Sequence, residues 1–235
     1  YANQPIPNYI TKDNSPGNNQ MNDRRATLGR VLFYDKNLSA NNTVACASCH
    51  QQEFAFSDPS ALSVGLNGGL TGRSSMRLIN ARFADENRFF WDERANSLEQ
   101  QTTMPIQDHV EMGFSGENGD PGFDSLITKL EGIDYYEILF EKAYGNTNIT
   151  MDKISNALSQ FVRSVISANS TFDQAMVADN RTWGIEQPFS TYTSQENIGK
   201  QLYVDNCSSC HGNIIFLGRS NANNGLDMEY ADNGI

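Results

Sequence analysis

Two pentapeptides decide the fold: "CASCH" at Cys46–His50 and "CSSCH" at Cys207–His211. Together they use all four cysteines and two of the three histidines in 235 residues. Their surroundings are related too. "LGRVLFYD" precedes the first and "IGKQLYVD" the second, so Gly29, Leu32 and Phe33 correspond to Gly199, Leu202 and Tyr203. The first copy then runs nine residues longer before the likeness resumes at the cysteines. One motif per half reads as an internal duplication.

Outward from the motifs, apolar spacing predicts helices. Residues 23–35 place Leu28, Val31 and Leu32 on one face behind an Asp23 cap. Residues 121–131 follow Asp120-Pro121, carry Phe123, Leu126, Ile127 and Leu130, and stop at Gly132. Residues 151–167, behind Thr150, align Ile154, Leu158, Phe161 and Val165. Thr193 and Glu196 make a capping-box pattern ahead of Ile198. Alternating strand patterns are nearly absent. Long Gly/Asn/Ser stretches at 51–80 and 105–120 exceed ordinary connections and suit loops wrapped around a ligand.

Cys-x-x-Cys-His is the attachment signature of c-type haem. Thiols at this spacing on a helical turn can add to the two vinyl groups of one porphyrin, and the next His can bind its iron. A thioredoxin-like dithiol wants a βαβ setting and leaves the His after each pair unexplained. A four-Cys zinc ribbon brings its pairs within roughly 15–20 residues, far closer than here. Two covalently bound c-type haems are therefore expected, ligated by His50 and His211. The expected fold is all-α: two cytochrome c-like haem domains with long irregular loops. Residues 1–20 form an extension, 21–167 the N-terminal domain, 168–192 an irregular polar linker, and 193–235 the start of a C-terminal domain. Because c-type attachment follows export, a periplasmic location is expected.

The sixth ligand separates electron transfer from catalysis, since an open face lets substrate reach the iron. Met76 is the one Met in residues 51–100 and reads as core rather than ligand, which leaves the first iron open. Met228, the one Met after His211, reads as packing. The net charge of −11 argues against nucleic acid and admits a basic protein partner. No apolar run approaches the roughly 18 residues of a membrane helix.

The segments "LGRVLFYDKNLSANNTVACASCHQQEFAFSD", "GRSSMRLINARF", "FFWDERANSLEQQ", "PIQDHVEMG", "FVRSVISANSTFD" and "IGKQLYVDNCSSCHG" together resemble the bacterial dihaem cytochrome c peroxidases and the related MauG enzymes. The resemblance runs in one order through most of residues 25–215. It implies that His50 serves the peroxide-reacting haem and His211 the electron-transfer haem. It places Trp91 between the haems, Asn80 on a calcium ion, and Gln101, Pro105 and Glu111 in the distal pocket. The implied activity is reduction of hydrogen peroxide by electrons from a small donor protein, a cytochrome c or cupredoxin. A homodimer is admitted. Two departures stand out. No His in 51–80 supplies the distal ligand of the well-studied peroxidases, which points toward the open, MauG-like type. The family also continues past Ile235, so the second domain is expected to be incomplete in this chain.

Peroxide cleavage moves a proton from one oxygen to the other, and a carboxyl group titrating near working pH can carry it. Glu111 in "QTTMPIQDHVEMGF" is the candidate; its alternative is a solvated loop residue. For Trp91 the alternative is plain core packing. His109 stays open between a hydrogen bond to Glu111, a ligand to the first iron, and an idle exposed ring. Two rival functions remain: a MauG-like oxidase of partner-protein side chains, and a non-enzymatic dihaem electron carrier.

Overall fold

The computed structural model describes residues 1–84, 88–182 and 184–212. Among these residues there are helices, short 3-10 turns and three isolated β-bridges, with no strand. The chain gathers into two compact units. The first comprises residues 1–2, 15–79 and 88–165. The described residues of the second are 3–14, 80–84, 166–182 and 184–212.

The first unit holds α1 (Asp23–Tyr34), α2 (Cys46–Cys49), α3 (Leu98–Thr103), α4 (Phe123–Glu131), α5 (Asp134–Tyr144) and α6 (Met151–Arg163). The cap of α1 is Asn22, one residue before the expected Asp23. The Asn22 carboxamide accepts from the Arg24 and Arg25 amides at 3.0 and 3.2 Å. Asp23 sits in the first turn, where it favours the helix dipole. Thr150 caps α6 as expected, accepting from Lys153 N at 3.2 Å. The helix ends at Arg163 rather than 167. α4 opens behind Gly122, later than Pro121. α5 went unanticipated; it buries Tyr136 and Phe140.

α1 packs along α6. The contact is close because Gly29 faces the α6 backbone: a Cβ there would lie 1.9 Å from the Ala157 carbonyl oxygen. Leu28, Leu32 and Phe33 of α1 join Ile154, Leu158 and Phe161 of α6 in a buried cluster that also takes in Ile106, Met112 and Phe114. Each large apolar side chain so buried contributes about 1.5–3 kcal/mol.

α6 is buried over more than its apolar stripe, and its polar groups are paired. Gln160 Nε2 donates to Asn19 Oδ1 at 2.6 Å, and its carbonyl accepts from Asn22 N at 2.7 Å. Arg163 meets Glu99 of α3. These contacts fix α3, and with it the start of the segment leading to Glu111.

The second unit holds α7 (Thr171–Ala178), α8 (Ser194–Asn206) and α9 (Ser208–His211). The capping box at α8 forms in both directions between Thr193 and Glu196. Residues 168–192 are less irregular than their composition suggests. Ser170 and Asp173 cap α7 reciprocally, and Ala175, Met176, Ile185 and Phe189 build a small core with Tyr9. Tyr9 donates to Asp173, so part of the stretch taken as an extension is integral to this unit. Met228 lies outside the described residues.

Candidate haem-binding active site

The first motif forms one helical turn. Cys46 and Cys49 are free thiols at i and i+3, a spacing that puts both on one face. Burial pushes Cys46 up to about 12, with the Cys49 and Glu111 charges adding to it. Burial likewise raises Cys49, against the Ser63 hydroxyl that opposes it. A redox dithiol needs a depressed thiol value, so this pair is tuned away from that chemistry.

His50 closes α2, its amide donating to Cys46 O at 2.9 Å. Its Nδ1 lies 3.0 Å from the Phe56 carbonyl oxygen. Such a bond holds the ring in one orientation. Burial lowers the imidazole below its ordinary value, while the Phe56 and Met76 main chain and the Asp58 charge work the other way. The neutral form that iron requires is thus the favoured one. Two free thiols and an oriented neutral imidazole fit a c-type haem. Among the described residues no three His, Cys, Asp or Glu side chains are arranged to hold a metal ion themselves.

Glu111 belongs to the same site, since its charge acts on both thiols. A tight turn presents it: the Val110 and Glu111 amides donate to Asp108 Oδ1 at 2.8 and 2.9 Å. Behind the turn, Leu66 N donates to Val110 O at 2.7 Å. Gly65 allows that approach, because a Cβ there would sit 2.2 Å from the same carbonyl oxygen. Ala40 N donates to Met112 O at 2.8 Å on the far side. Burial raises the Glu111 carboxyl to about 7, aided by the Asp108 charge and opposed by Arg94. The residue is half-buried.

Pro105 and Gln101 lie, half-buried, on the segment leading into the turn, Gln101 within α3. His109 points elsewhere. Its ring is exposed and its Nδ1 lies 2.8 Å from Asp120 Oδ2, which also accepts from Ser115. Trp91 is half-buried, and its indole N–H donates to Ser74 O at 2.8 Å. Asp92 beside it holds Arg73 at 2.9 Å and Arg94 at 2.8 Å, which ties residues 73–75 to 91–94.

Ser63, Asp58 and Arg94 were not singled out from the sequence. Ser63 Oγ donates to Asp58 Oδ2 at 2.7 Å and faces the Cys49 thiol. Nothing in "SDPSALS" distinguishes it from an ordinary polar turn.

The second motif lies in the other unit. Cys207 and Cys210 are exposed free thiols, and His211 N donates to Cys207 O at 2.9 Å. Tyr203 donates to Gly212 O at 2.6 Å and holds the end of α9. Asn80 is also in this unit. Its carboxamide pairs with the Ser167 main chain in both directions, at 2.9 Å each way.

The family model for di-haem cytochrome c peroxidase matches residues 23–181. The chain is 28% identical over 204 residues to the methylamine utilization protein MauG of Methylophilus methylotrophus, covering 86% of this chain and 56% of that protein. It is 29% identical over 228 residues to the cytochrome c peroxidase Ccp of Escherichia coli K12, covering 97% of this chain and 43% of that protein. In structure it is similar to a MauG-like protein associated with microbial copper homeostasis, with a TM-score of 0.77 and 29% identity over 91% of this chain and 59% of the other. The chain therefore spans about half the length of the curated relatives it matches. With two Cys-x-x-Cys-His motifs and a family match over most of its length, the chain belongs to the di-haem cytochrome c peroxidase family.

Proposed function

We propose that this chain carries the peroxide-reducing centre of a periplasmic dihaem peroxidase. The observation that carries this is the partly buried Glu111 beside Cys46 and Cys49, raised to about 7. Cys46, Cys49 and His50 would hold a haem, which would supply the redox chemistry for the two-electron reduction of hydrogen peroxide. Glu111 accepts a proton from one peroxide oxygen and delivers it to the oxygen that departs as water. A carboxyl near 7 can do both at neutral pH, because neither protonation state is strongly favoured. Pro105 stiffens the approach to the turn, and Gln101 borders the pocket. The Phe56 carbonyl keeps the His50 ring in one orientation.

Cys207, Cys210 and His211 would hold a second haem, which would supply electron transfer from a small redox protein, a cytochrome c or cupredoxin. Trp91 serves as an aromatic relay, its ring fixed by Ser74. A surface with net charge −11 suits a donor with a basic patch and predicts rates that fall with salt. Among the described residues no helix is long and apolar enough to cross a membrane. Calcium at Asn80 would share a carbonyl oxygen that already accepts from Ser167 N, and a hard cation needs several further oxygens.

A MauG-like oxidase acting on a partner protein is the second reading. The absence of His from residues 51–80 and the structural likeness to a MauG-like protein favour it. Turnover of peroxide with reduced cytochrome c separates the two, since the oxidase is expected to be slow in that assay. A high-spin ferric signal that disappears on adding peroxide supports both enzymes. Two low-spin haems inert to peroxide, before and after reduction, would overturn both.

A further inference from the structure

The His50 ring does not end in aliphatic core. Phe33 lies beside it with ring centroids 6.4 Å apart. From Phe33 the aromatic contacts continue to Tyr34 at 5.2 Å and to Phe161 at 4.9 Å, and Phe161 itself reaches Tyr34 at 6.2 Å. These spacings all fall within the range of direct aromatic contact. Phe33 is buried, whereas Tyr34, at the last position of α1, is 43% exposed. One buried ring thus separates the imidazole from a phenol in water, and a second ring closes a parallel route.

Phenylalanine is too hard to oxidise to hold a hole, so Phe33 and Phe161 can serve only as a bridge. A phenol is far easier to oxidise, and in water it can release its proton as the electron leaves. We propose that Tyr34 is an oxidation site: an outlet through which oxidising equivalents from peroxide leave the His50 side when no donor supplies electrons. The proposal rests on the peroxidase reading for its oxidant. Each Tyr34 gives up one electron, by way of Phe33, and one proton to solvent, leaving a phenoxyl radical. Two electrons and two protons convert one hydrogen peroxide to two waters. Phenoxyls on two copies of the chain then form a carbon–carbon bond between the ring positions next to oxygen. The displaced ring hydrogens return to the two oxygens, which gives dityrosine.

The test treats the haem-loaded protein with excess peroxide and no donor, measuring peroxide consumption and mapping peptides by mass spectrometry. The expected product is a covalent dimer joined through Val31–Lys36, two hydrogen masses lighter than the two peptides. Tyr34→Phe, a surface change outside the peroxide site, should reduce peroxide normally when reduced donor is supplied, yet lose this dimer when donor is absent. Reduced donor in excess should suppress it in the native protein. Peroxide consumption with Tyr34 unmodified, or a dimer that survives Tyr34→Phe, would overturn the outlet and leave the peroxidase reading intact. No peroxide consumption at all would overturn both.

Discussion

Arg163 and Glu99 face each other between α6 and α3 through two hydrogen bonds, Nη1–Oε1 at 2.5 Å and Nη2–Oε2 at 3.0 Å, with the arginine side chain 1% exposed. Burial alone would raise the Glu99 carboxyl. Hydrogen bonding and charge from Arg163, with Asn19, outweigh it and leave the group below its ordinary value. Stability from this pair is therefore present above the unfolded carboxylate value and lost as pH falls through the folded one. Arg163→Met leaves a partly buried carboxylate without its charged partner and should cost about 3 kcal/mol in urea unfolding. Adding Glu99→Leu should recover much of that loss; a double variant worse than the single would contradict the assignment.

Glu111 should show opposite signs for stability and activity. Its folded value of about 7 exceeds the ordinary 4.5. Its contribution to stability is thus fully present below the lower value and is lost as pH rises through the higher one. Proton acceptance needs the carboxylate, so the peroxide rate should climb with pH through the same window. Glu111→Gln should keep the haem spectra, flatten the pH profile and slow the peroxide reaction at least about tenfold. It should also unfold at higher denaturant than the native protein on the alkaline side. An unchanged rate would remove Glu111 from the chemistry.

Gly29 and Gly199 occupy matching places in the two motif surroundings but meet different neighbours. A Cβ at Gly29 would collide with the Ala157 carbonyl oxygen, whereas at Gly199 it meets no described atom within 4 Å. Gly29→Ala should destabilise by about 1–3 kcal/mol or more through overpacking. In this chain Gly199→Ala should be neutral or gain up to about 1 kcal/mol from helix propensity. Chemical denaturation of the pair checks the contrast.

Replacing Cys46 and Cys49 together by Ala should leave one haem attached per chain, that of Cys207 and Cys210. Haem staining after denaturing electrophoresis should fall by half, and the peroxide reaction should vanish with the lost cofactor. Full staining would show that the first motif does not carry covalent haem.

The motifs, the helical class and the α6 and α8 caps were legible because each is a local pattern: Cys-x-x-Cys-His, Thr150 before an apolar stripe, Thr193 with Glu196. α5 and α7 were not. α5 mixes Tyr and charged residues on its exposed side, and α7 is a two-turn helix whose burial depends on Tyr9, 164 residues from its Asp173 partner. Within the site, the resemblance suggested Glu111 but could not give its environment. That environment comes from Gly65, Leu66 and Asp108, none of which carries a recognisable signal alone. The His109–Asp120 pair was invisible for the same reason, since two ordinary loop residues meet only once the turn has formed.

Tyr9 sits in a small core whose other buried members all follow residue 165. A chain emerging from the ribosome delivers that residue long before its partners α7 and Phe189 exist. The first unit can settle around α1 and α6 meanwhile, while residues 3–14 wait for α7. Deleting residues 3–14 would take Tyr9 out of the later-finished core, so a tag inserted close to Tyr9 would be badly placed.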